Sequence, residues 1–287
     1  MFSPNRVLEE KLRKFLEEDV GQGDITASLL VPEKTIVEAE VVAKEGGVLA
    51  GIDEAVILCE SLKLKARVLK HDGARVKPKT PILRIIGDAR TILSTERTLL
   101  NTLSRMSGIA TATNNLVRKA ASYRTLVACT RKVAPGLGYF DKKAVAIGGG
   151  DTHRLHLDDL VLIKDNHIKI VGDLGEAVRK AREQASFSKK VEVEVSSAEA
   201  ALQAAKNGAD IIMLDNLSPK KVRETVLLLT REGLREKVML EASGRINHGN
   251  IVEYAKTGVD VLSVGEITQS PKALDMSLEV AKVTRSA

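Results

Sequence analysis

Cysteine is scarce in this chain of 287 residues, which contains only Cys59 and Cys129. Two cysteines cannot build a disulfide framework or a cysteine-ligated metal cluster. Because Cys129 lies in the apolar run LVACT, we expect its thiol to be buried. The low cysteine content favours a cytoplasmic protein, since thiols stay reduced in that compartment.

Aromatic side chains make up only 2% of the chain, and tryptophan is absent. Nucleic-acid-binding proteins often stack bases on aromatic rings, and few rings are available here. The net charge of +6 favours anionic ligands only weakly. A basic nucleic-acid-binding protein is therefore an alternative that the composition disfavours, and we predict no nucleic-acid partner.

Long apolar runs are also missing, and none approaches the roughly 18 residues that a membrane span requires. Residues 1–19 predict an amphipathic helix without the apolar core of a signal peptide. With 44% hydrophobic and 29% charged residues, the composition is typical of a soluble globular protein with one or two domains. We predict no membrane contact.

The chain changes character near residue 110. The first part mixes helical patterns with short strands, for example the alternating segment 35–50. A long helical pattern starts at Leu93 and places Arg97, Asn101 and Arg105 on one helix face. We predict an N-terminal α/β (α+β) sandwich-like domain over 1–110, with a C-terminal helix over 271–287 packing back on it, and an α/β-barrel domain over 111–270.

Strand-like and helical segments alternate after Tyr123, which is typical of βα units around a parallel sheet. No GxGxxG follows the first strand, so a dinucleotide-binding domain is disfavoured. The pattern predicts an incomplete parallel α/β barrel. The strands are expected at 125–129, 143–147, 159–163, 191–195, 210–214, 237–242 and 259–264, and helices at 172–185, 197–207, 219–231, 247–257 and 271–283.

Charged and hydroxyl side chains follow the predicted strands, where the carboxyl ends of a parallel barrel meet on one face. In VEVEV (191–195) the valines alternate with Glu192 and Glu194, so both carboxylates point inward if the valines meet the helices. Buried carboxylates need cations or a metal nearby. The residues expected on this rim are Arg131, Lys132, Lys164, Glu194, Asp215, Glu241, Ser243 and Gly265.

Many cations combined with a few acids suit a phosphorylated substrate that carries a metal. Glu194 and Asp215 offer the oxygen ligands that Mg²⁺ prefers. The segments SGRI and GEITQS provide glycine-lined backbone N–H groups, which we expect at helix N-termini that hold a phosphate. The pair His153 and His156 is weak evidence for zinc without a third ligand. No GxSxG motif is present, which favours catalysis by positioning and electrostatics.

Ordered segments along almost the whole chain resemble the quinolinate phosphoribosyltransferase family. They are GDIT (23–26), KEGGVLAG (44–51), ERTLLNTLSRMSGIAT (96–111), TRKVAPGL (130–137), THR (152–154), KDNH (164–167), VEVEVSS (191–197), MLDN (213–216), EASG (241–244) and GEITQS (265–270). So many motifs in the family order make chance similarity implausible.

The resemblance implies a homodimer or higher homo-oligomer with shared active sites, in which the N-terminal domain of one subunit covers the partner's barrel mouth. It implies that Arg131, His153 and Arg154 hold quinolinate, with Lys132 and Lys164 nearby and Arg97 reaching in from the neighbouring subunit. It also implies that Glu194 and Asp215 bind Mg²⁺ on the phosphoribosyl pyrophosphate side. Ser243, Gly244 and Gly265 would contact the phosphate.

The implied reaction transfers the phosphoribosyl group to quinolinate, with loss of CO₂, and gives nicotinate mononucleotide and pyrophosphate. In this reading Lys132, Lys164, Glu194 and Asp215 are the catalytic residues. We expect the arginines to favour the 3-carboxylate, because they must not over-stabilise the carboxylate that leaves.

Four positions depart from the family pattern: Val133, Gly138, Arg245 and Gln269. A cation beside the site is either missing at Gly138 or supplied by Lys142 or Lys143. Two related activities stay open as alternatives. One is a molybdenum-locus paralogue with another acceptor. The other is nicotinate phosphoribosyltransferase, which is disfavoured because five cations are too many for a monocarboxylate.

Overall fold

The computed structural model describes residues 5–284. The helices and strands are, in chain order, α1 (Asn5–Val20), α2 (Ile25–Leu30), β1 (Ile36–Ala43), β2 (Gly47–Val48), α3 (Ile52–Ser61), β3 (Lys65–Val68), β4 (Arg75–Val76), β5 (Thr80–Asp88), α4 (Ala89–Ala120), β6 (Leu126–Ala128), α5 (Gly138–Ile147), β7 (Val161–Ile163), α6 (Asp165–Val171), α7 (Leu174–Gln184), β8 (Val191–Val195), α8 (Ala198–Lys206), β9 (Ile211–Asp215), α9 (Pro219–Arg231), β10 (Met239–Ser243), α10 (Ile251–Ala255), β11 (Val261–Ser263), α11 (Glu266–Gln269) and β12 (Met276–Thr284). Residues 1–4 of the predicted first helix lie outside the described part of the chain.

The chain divides into two compact units. The first unit comprises the residues up to Ala112, Ala146–Gly148 and the residues from Pro271 onward. The second unit comprises Thr113–Val145 and Gly149–Ser270. No helix within residues 5–284 has the length and apolar character that crossing a bilayer requires.

The first unit is built on a four-stranded antiparallel sheet with the order β12-β1-β5-β3. Strand β1 follows the two-residue period of a half-buried strand, with Val37, Ala39 and Val41 in the core. Glu38 and Glu40 point to the opposite face, where both carboxylates contact Arg84. The mixed α/β fold class predicted for this part of the chain is confirmed.

The C-terminal segment is a strand, so the helix predicted over 271–287 is wrong. Strand β12 pairs with β1 along its whole length, from Ala43 and Met276 to Ile36 and Thr284. The segment MSLEVAKVT has several β-branched and apolar residues, and pairing satisfies the backbone groups along one edge of β1. Residues 285–287 of the predicted helix lie outside the described residues.

The second unit has a six-stranded parallel sheet with the order β6-β11-β10-β9-β8-β7. Within residues 5–284, β6 and β7 form the two edges and are not paired with each other, so the predicted incomplete barrel is confirmed. Helices α7, α8 and α9 follow β7, β8 and β9 along the chain. All six strands therefore end toward the same side.

Residues 143–147 lie in helix α5, so the strand predicted there is wrong. The run KAVAI is too short for its period to distinguish a strand from a buried helix. In α5, the buried residues Phe140, Ala144 and Val145 recur at helical spacing. The barrel consequently has six strands in the described chain, not seven.

Candidate active site

A cavity of about 700 Å³ opens at the carboxyl ends of the parallel strands of the second unit. Most of the residues predicted to form the site line this one cavity. They are Arg131, Lys132, His153, Arg154, Lys164, Glu194, Asp215, Ser243 and Gly244. Loops and strand ends that are far apart in the sequence thus bring cations and carboxylates to a single place.

Two predicted site residues are not among the cavity-lining residues. Gly265 lies just outside the cavity wall, where a Cβ atom would come within 3.4 Å of the Cδ of Lys132. Arg97 belongs to the first unit, where it is exposed on α4. Its predicted role in a neighbouring subunit's site stays a prediction.

The register of the central strands explains why acids converge on the cavity. Glu194 on β8 pairs with Met213 on β9, and Met213 pairs with Glu241 on β10. All three side chains line the cavity, because residues in register project to the same side of a sheet. The prediction that both glutamates of VEVEV point inward is confirmed, since Glu192 is fully buried next to Glu241 and His153.

His153 lies between two buried carboxylates. Its Nε2 atom is 3.1 Å from Glu241 Oε2 and 3.5 Å from Glu192 Oε2. Burial lowers the pKa of His153, but the contacts with Glu192 and Glu241 outweigh burial and raise it. The backbone N–H of Arg154 donates to His153 Nδ1 at 2.7 Å, so this nitrogen accepts a hydrogen bond and carries no proton of its own. In this geometry the ring proton lies on Nε2, facing the acids.

The same three side chains could be taken for a metal site, since one ligand atom from each of His153, Glu192 and Glu241 lies within 4.8 Å of the others. A proton on His153 Nε2 blocks metal binding at that atom. Burial raises the pKa of Glu192, contact with His153 opposes this effect, and the charge on Glu241 adds to the rise. Within the cluster His153 Nε2 is hydrogen-bonded to Glu241, whereas both carboxylate oxygens of Glu192 are buried without a hydrogen-bond partner in the described part of the chain. Unlike the weak zinc pair considered from the sequence, the cluster does not include His156.

Arg154 is held in place through its backbone. Besides the contact to His153, its carbonyl accepts a hydrogen bond from Lys142 Nζ at 3.1 Å, and Lys142 Nζ also donates to the carbonyl of Thr152. Lys142 is buried, so it orders this segment and does not replace the cation missing at Gly138. Burial and the charge of Arg131 both lower the pKa of Arg154, which shows that the two guanidinium groups share one region. Paired cations of this kind suit a polyanion.

The acidic side of the cavity is formed by Glu194 and Asp215. Lys164 Nζ lies 2.5 Å from Glu194 Oε2, and the Lys164 backbone N–H donates to His167 Nδ1 at 3.0 Å. Burial raises the pKa of Asp215, and the charge of Glu194 adds to the rise. Two carboxylates that repel each other across a cavity provide hard oxygen ligands, which fits a divalent cation such as Mg²⁺.

The loop after β10 turns tightly against the end of β9. Gly244 has a φ of 96°, and a Cβ atom there would lie 2.4 Å from Asn216 Oδ1, so only glycine fits. The next helix, α10, begins at Ile251, so the prediction that SGRI directly opens a helix is wrong. Gly265, by contrast, immediately precedes α11, which has four residues.

Sequence reasoning missed several residues that line the cavity or support it. Asn216 donates from Nδ2 to Asp215 Oδ2 at 2.6 Å, and the position of Asn216 in MLDN, next to Asp215, was the available signal. Arg245 was identified only as a departure from the family pattern. Ser263 and Leu162 gave no signal, because small or apolar strand residues look like ordinary core. The missed lining residues are Cys129, Thr130, Leu162, Met213, Asn216, Arg245 and Ser263.

Comparison with known proteins gives one consistent family for both parts of the chain. The family models for the N-terminal and C-terminal domains of quinolinate phosphoribosyl transferase match residues 24–107 and 109–279. The chain is 47% identical to a probable nicotinate-nucleotide pyrophosphorylase [carboxylating] of Methanothermobacter thermautotrophicus, covering 94% of this chain and 97% of that protein. It is 37% identical to the nicotinate-nucleotide pyrophosphorylase [carboxylating] of Rattus norvegicus, over 96% of this chain and 92% of that one.

The fold agrees as closely. The solved structure of the nicotinate-nucleotide pyrophosphorylase from Francisella tularensis superposes with a TM-score of 0.90 at 40% identity, covering 97% of this chain and 98% of that chain. Sequence, fold and matched domains cover both units of the molecule. The chain belongs to the quinolinate phosphoribosyltransferase family.

Proposed function

We propose that this protein transfers the phosphoribosyl group of phosphoribosyl pyrophosphate to quinolinate and releases CO₂, so that it makes nicotinate mononucleotide for NAD biosynthesis. The observation that carries the proposal is the cavity of the second unit, where Arg131 and Arg154 lie together and Glu194 and Asp215 form a separate acidic side. One side suits a dicarboxylate, and the other suits a metal-bound pyrophosphate.

On the acceptor side, Arg131 and Arg154 bind the carboxylates of quinolinate. Lys132 and Lys164 lie nearby, toward the acidic side, where their charges act on Asp215. Guanidinium groups hold a carboxylate in a fixed orientation, which directs the pyridine nitrogen toward the sugar. His153 supports this arrangement through the backbone of Arg154, because both of its ring nitrogens are already engaged by protein atoms. We therefore assign His153 a positioning role, in place of the direct quinolinate contact that the resemblance implies.

On the donor side, Glu194 and Asp215 would hold Mg²⁺. When bound, the ion neutralises charge on the leaving pyrophosphate. The pyridine nitrogen then displaces pyrophosphate from the anomeric carbon of the ribose. The carboxylates of Glu194 and Asp215 stabilise the positive charge that develops on the sugar. In the next step the bond between C2 and its carboxylate breaks and CO₂ departs. The positively charged ring stabilises the electron pair left on C2, which then takes a proton from solvent.

We infer an assembly of two or more copies, in which Arg97 completes the cavity of a neighbouring subunit. Its support is the exposure of Arg97 on α4 and the cationic demand of a dicarboxylate. We also infer a cytoplasmic location, based on the low cysteine content.

Product analysis tests the activity. The purified protein is incubated with phosphoribosyl pyrophosphate, Mg²⁺ and either quinolinate or nicotinate, and nicotinate mononucleotide and CO₂ are quantified. We expect both products from quinolinate and neither from nicotinate. Product from nicotinate alone would contradict the dicarboxylate site, and the absence of product from either would favour a paralogue with another acceptor.

A further inference from the structure

Non-glycine residues in the left-handed region are uncommon and strained, and they concentrate at functional sites. Among residues 5–284 they are Lys34, Lys63, Lys79, Arg124, His153, Asn216 and Arg245. Three of them, His153, Asn216 and Arg245, line the cavity. Three of the seven left-handed residues thus lie at one cavity, and the reason for the left-handed backbone can be sought at each of them.

Two of the three have a reason in the protein itself. The ring of His153 is held between Glu241 and the backbone of Arg154. The side chain of Asn216 donates to Asp215. Arg245 differs, because the structure of residues 5–284 shows no hydrogen bond or ion pair for its guanidinium group. Arg245 is exposed and has a φ of 54°, and its side chain makes no contact with the described residues that would offset the strain.

The loop that carries Arg245 is nevertheless well ordered by its neighbours. The carbonyl of Arg245 accepts hydrogen bonds from Asn250 Nδ2 at 3.1 Å and Asn247 Nδ2 at 3.3 Å. The next residue, Ile246, is buried. The backbone of Arg245 is thus fixed on both sides, and its side chain lines the cavity.

The position of this loop indicates which substrate Arg245 serves. Arg245 follows β10, and the last residue of β10, Ser243, pairs with Asp215 at the end of β9. Strand β11 separates β10 from β6, the strand that precedes Arg131. Arg245 therefore follows the strand end next to Asp215 and belongs to the acidic side of the cavity. A guanidinium that lines the cavity without a partner among the described residues suits a phosphate group.

We propose that Arg245 binds a phosphate group of phosphoribosyl pyrophosphate and is a determinant of affinity for this donor. The inference rests on the proposed function, and it adds a side-chain contact at a position that the resemblance marks only as a departure. The guanidinium donates two hydrogen bonds to phosphate oxygens, either of the 5′-phosphate or of the pyrophosphate. The strain at Arg245 is retained because the side chain is needed there.

The main test replaces Arg245 by glycine, which relieves the left-handed strain and removes the cation. The matched control is Arg124→Gly, because Arg124 is also an exposed arginine in the left-handed region, with a φ of 50°, but does not line the cavity. We expect neither variant to melt below the parent protein. Only Arg245→Gly should raise the KM for phosphoribosyl pyrophosphate, by about 10-fold or more, with the KM for quinolinate within about twofold of the parent.

Arg245→Lys sharpens the result, because lysine retains the charge but lacks the two-pronged donor. Its KM for phosphoribosyl pyrophosphate should fall between those of the parent and Arg245→Gly. A KM for phosphoribosyl pyrophosphate within about twofold of the parent in Arg245→Gly would overturn the proposal. A rise in the KM for quinolinate alone would also overturn it, because it would place Arg245 on the acceptor side.

Direct binding separates this inference from the activity itself. Calorimetric titration with inorganic pyrophosphate and with ribose 5-phosphate, each with Mg²⁺, needs no turnover and is made on the parent and on Arg245→Gly. If Arg245→Gly binds only pyrophosphate more weakly than the parent does, the contact is to the pyrophosphate. If it binds only ribose 5-phosphate more weakly, the contact is to the 5′-phosphate. Equal binding of both probes by the two proteins would overturn the proposal even if the parent turned over no quinolinate.

Discussion

Two strands of this molecule share almost the same sequence and have different environments. Residues 37–41 of β1 read VEAEV, and residues 191–195 of β8 read VEVEV. In both strands the apolar residues are buried and the glutamates lie on the other face. The glutamates of β1 are about a quarter exposed and contact Arg84, whereas Glu192 on β8 has no exposed surface.

The difference shows that alternation determines which side a residue faces, but not what lies on that side. In the antiparallel sheet of the first unit, the polar face reaches solvent, so its carboxylates form ordinary surface ion pairs. In the open barrel of the second unit, the inner face surrounds a cavity. Its carboxylates need a partner there, which is His153, Lys164 or a cation bound together with the substrate. The same five-residue pattern thus supports a sheet surface in one unit and a reaction site in the other.

The largest expected contrast comes from the same substitution in the two strands. Glu194→Gln removes a carboxylate that contacts Lys164 and lines the cavity, so kcat/KM should fall by about 100-fold or more. Glu40→Gln removes a partly exposed partner of Arg84 that lies outside the cavity, and kcat/KM should stay within about twofold of the parent. Steady-state formation of nicotinate mononucleotide measures both variants.

Thermal melting of both variants is the control, because an unfolded protein would mimic lost catalysis. Equal kcat/KM values for Glu194→Gln and the parent would mean that the inward carboxylate of β8 is no more important for the reaction than the outward carboxylate of β1.

Much of this comparison was accessible from the sequence. The period-2 pattern placed Glu192 and Glu194 inside the barrel, because the valines of a parallel strand must meet helices on the outer face. The order of strands and helices predicted the incomplete barrel, and chemistry at the strand ends predicted one shared cavity. These inferences depend on the spacing of apolar residues within each segment. They also depend on the right-handed connection that joins successive parallel strands in βα units, so both can be read from one sequence.

The failures have a common physical origin in longer-range contacts. Residues 143–147 and 271–287 are short or ambiguous patterns, and their structures are decided by what they pack or pair with, such as β1 against β12. The hydrogen bond from the Arg154 backbone to His153 Nδ1 depends on a left-handed residue that no period reveals. The strain at Arg245 is equally invisible in the sequence, because any residue type can be forced into that region by its neighbours.

The second contrast concerns the pH dependence of stability. The pKa of Glu192 is raised above the ordinary value of 4.5 in the folded protein, chiefly by burial. Between pH 4.5 and the folded pKa, Glu192 is ionised in the unfolded chain but neutral in the folded protein. Its contribution to the free energy of unfolding is therefore fully present below pH 4.5 and is lost as the pH rises through the folded pKa. Relative to the parent, Glu192→Gln should therefore gain free energy of unfolding as the pH is raised above 4.5.

Urea unfolding at several pH values between 4 and 8 measures this difference. Glu38→Gln makes the same chemical change on the half-exposed face of β1 and reports what the substitution does outside the barrel. A difference between Glu192→Gln and the parent that does not change with pH would contradict a raised pKa of Glu192.

The smallest expected effect is the loss of the ion pairs on the outer face of β1. Arg84→Met removes contacts of 3.1 Å to Glu38 and 2.7 Å to Glu40 but keeps an unbranched apolar stem over the sheet. Because all three side chains are partly exposed, water and salt screen their attraction, and the melting temperature should fall by less than about 3 °C. The decrease should shrink further in about 1 M NaCl, where exposed charges are screened over a few ångströms. Melting curves of the parent and Arg84→Met at low and high salt measure it. A larger, salt-independent decrease would show that the glutamates of β1 depend on their cation as strongly as the buried glutamates of β8 depend on theirs, and the contrast between the two strands would then be lost.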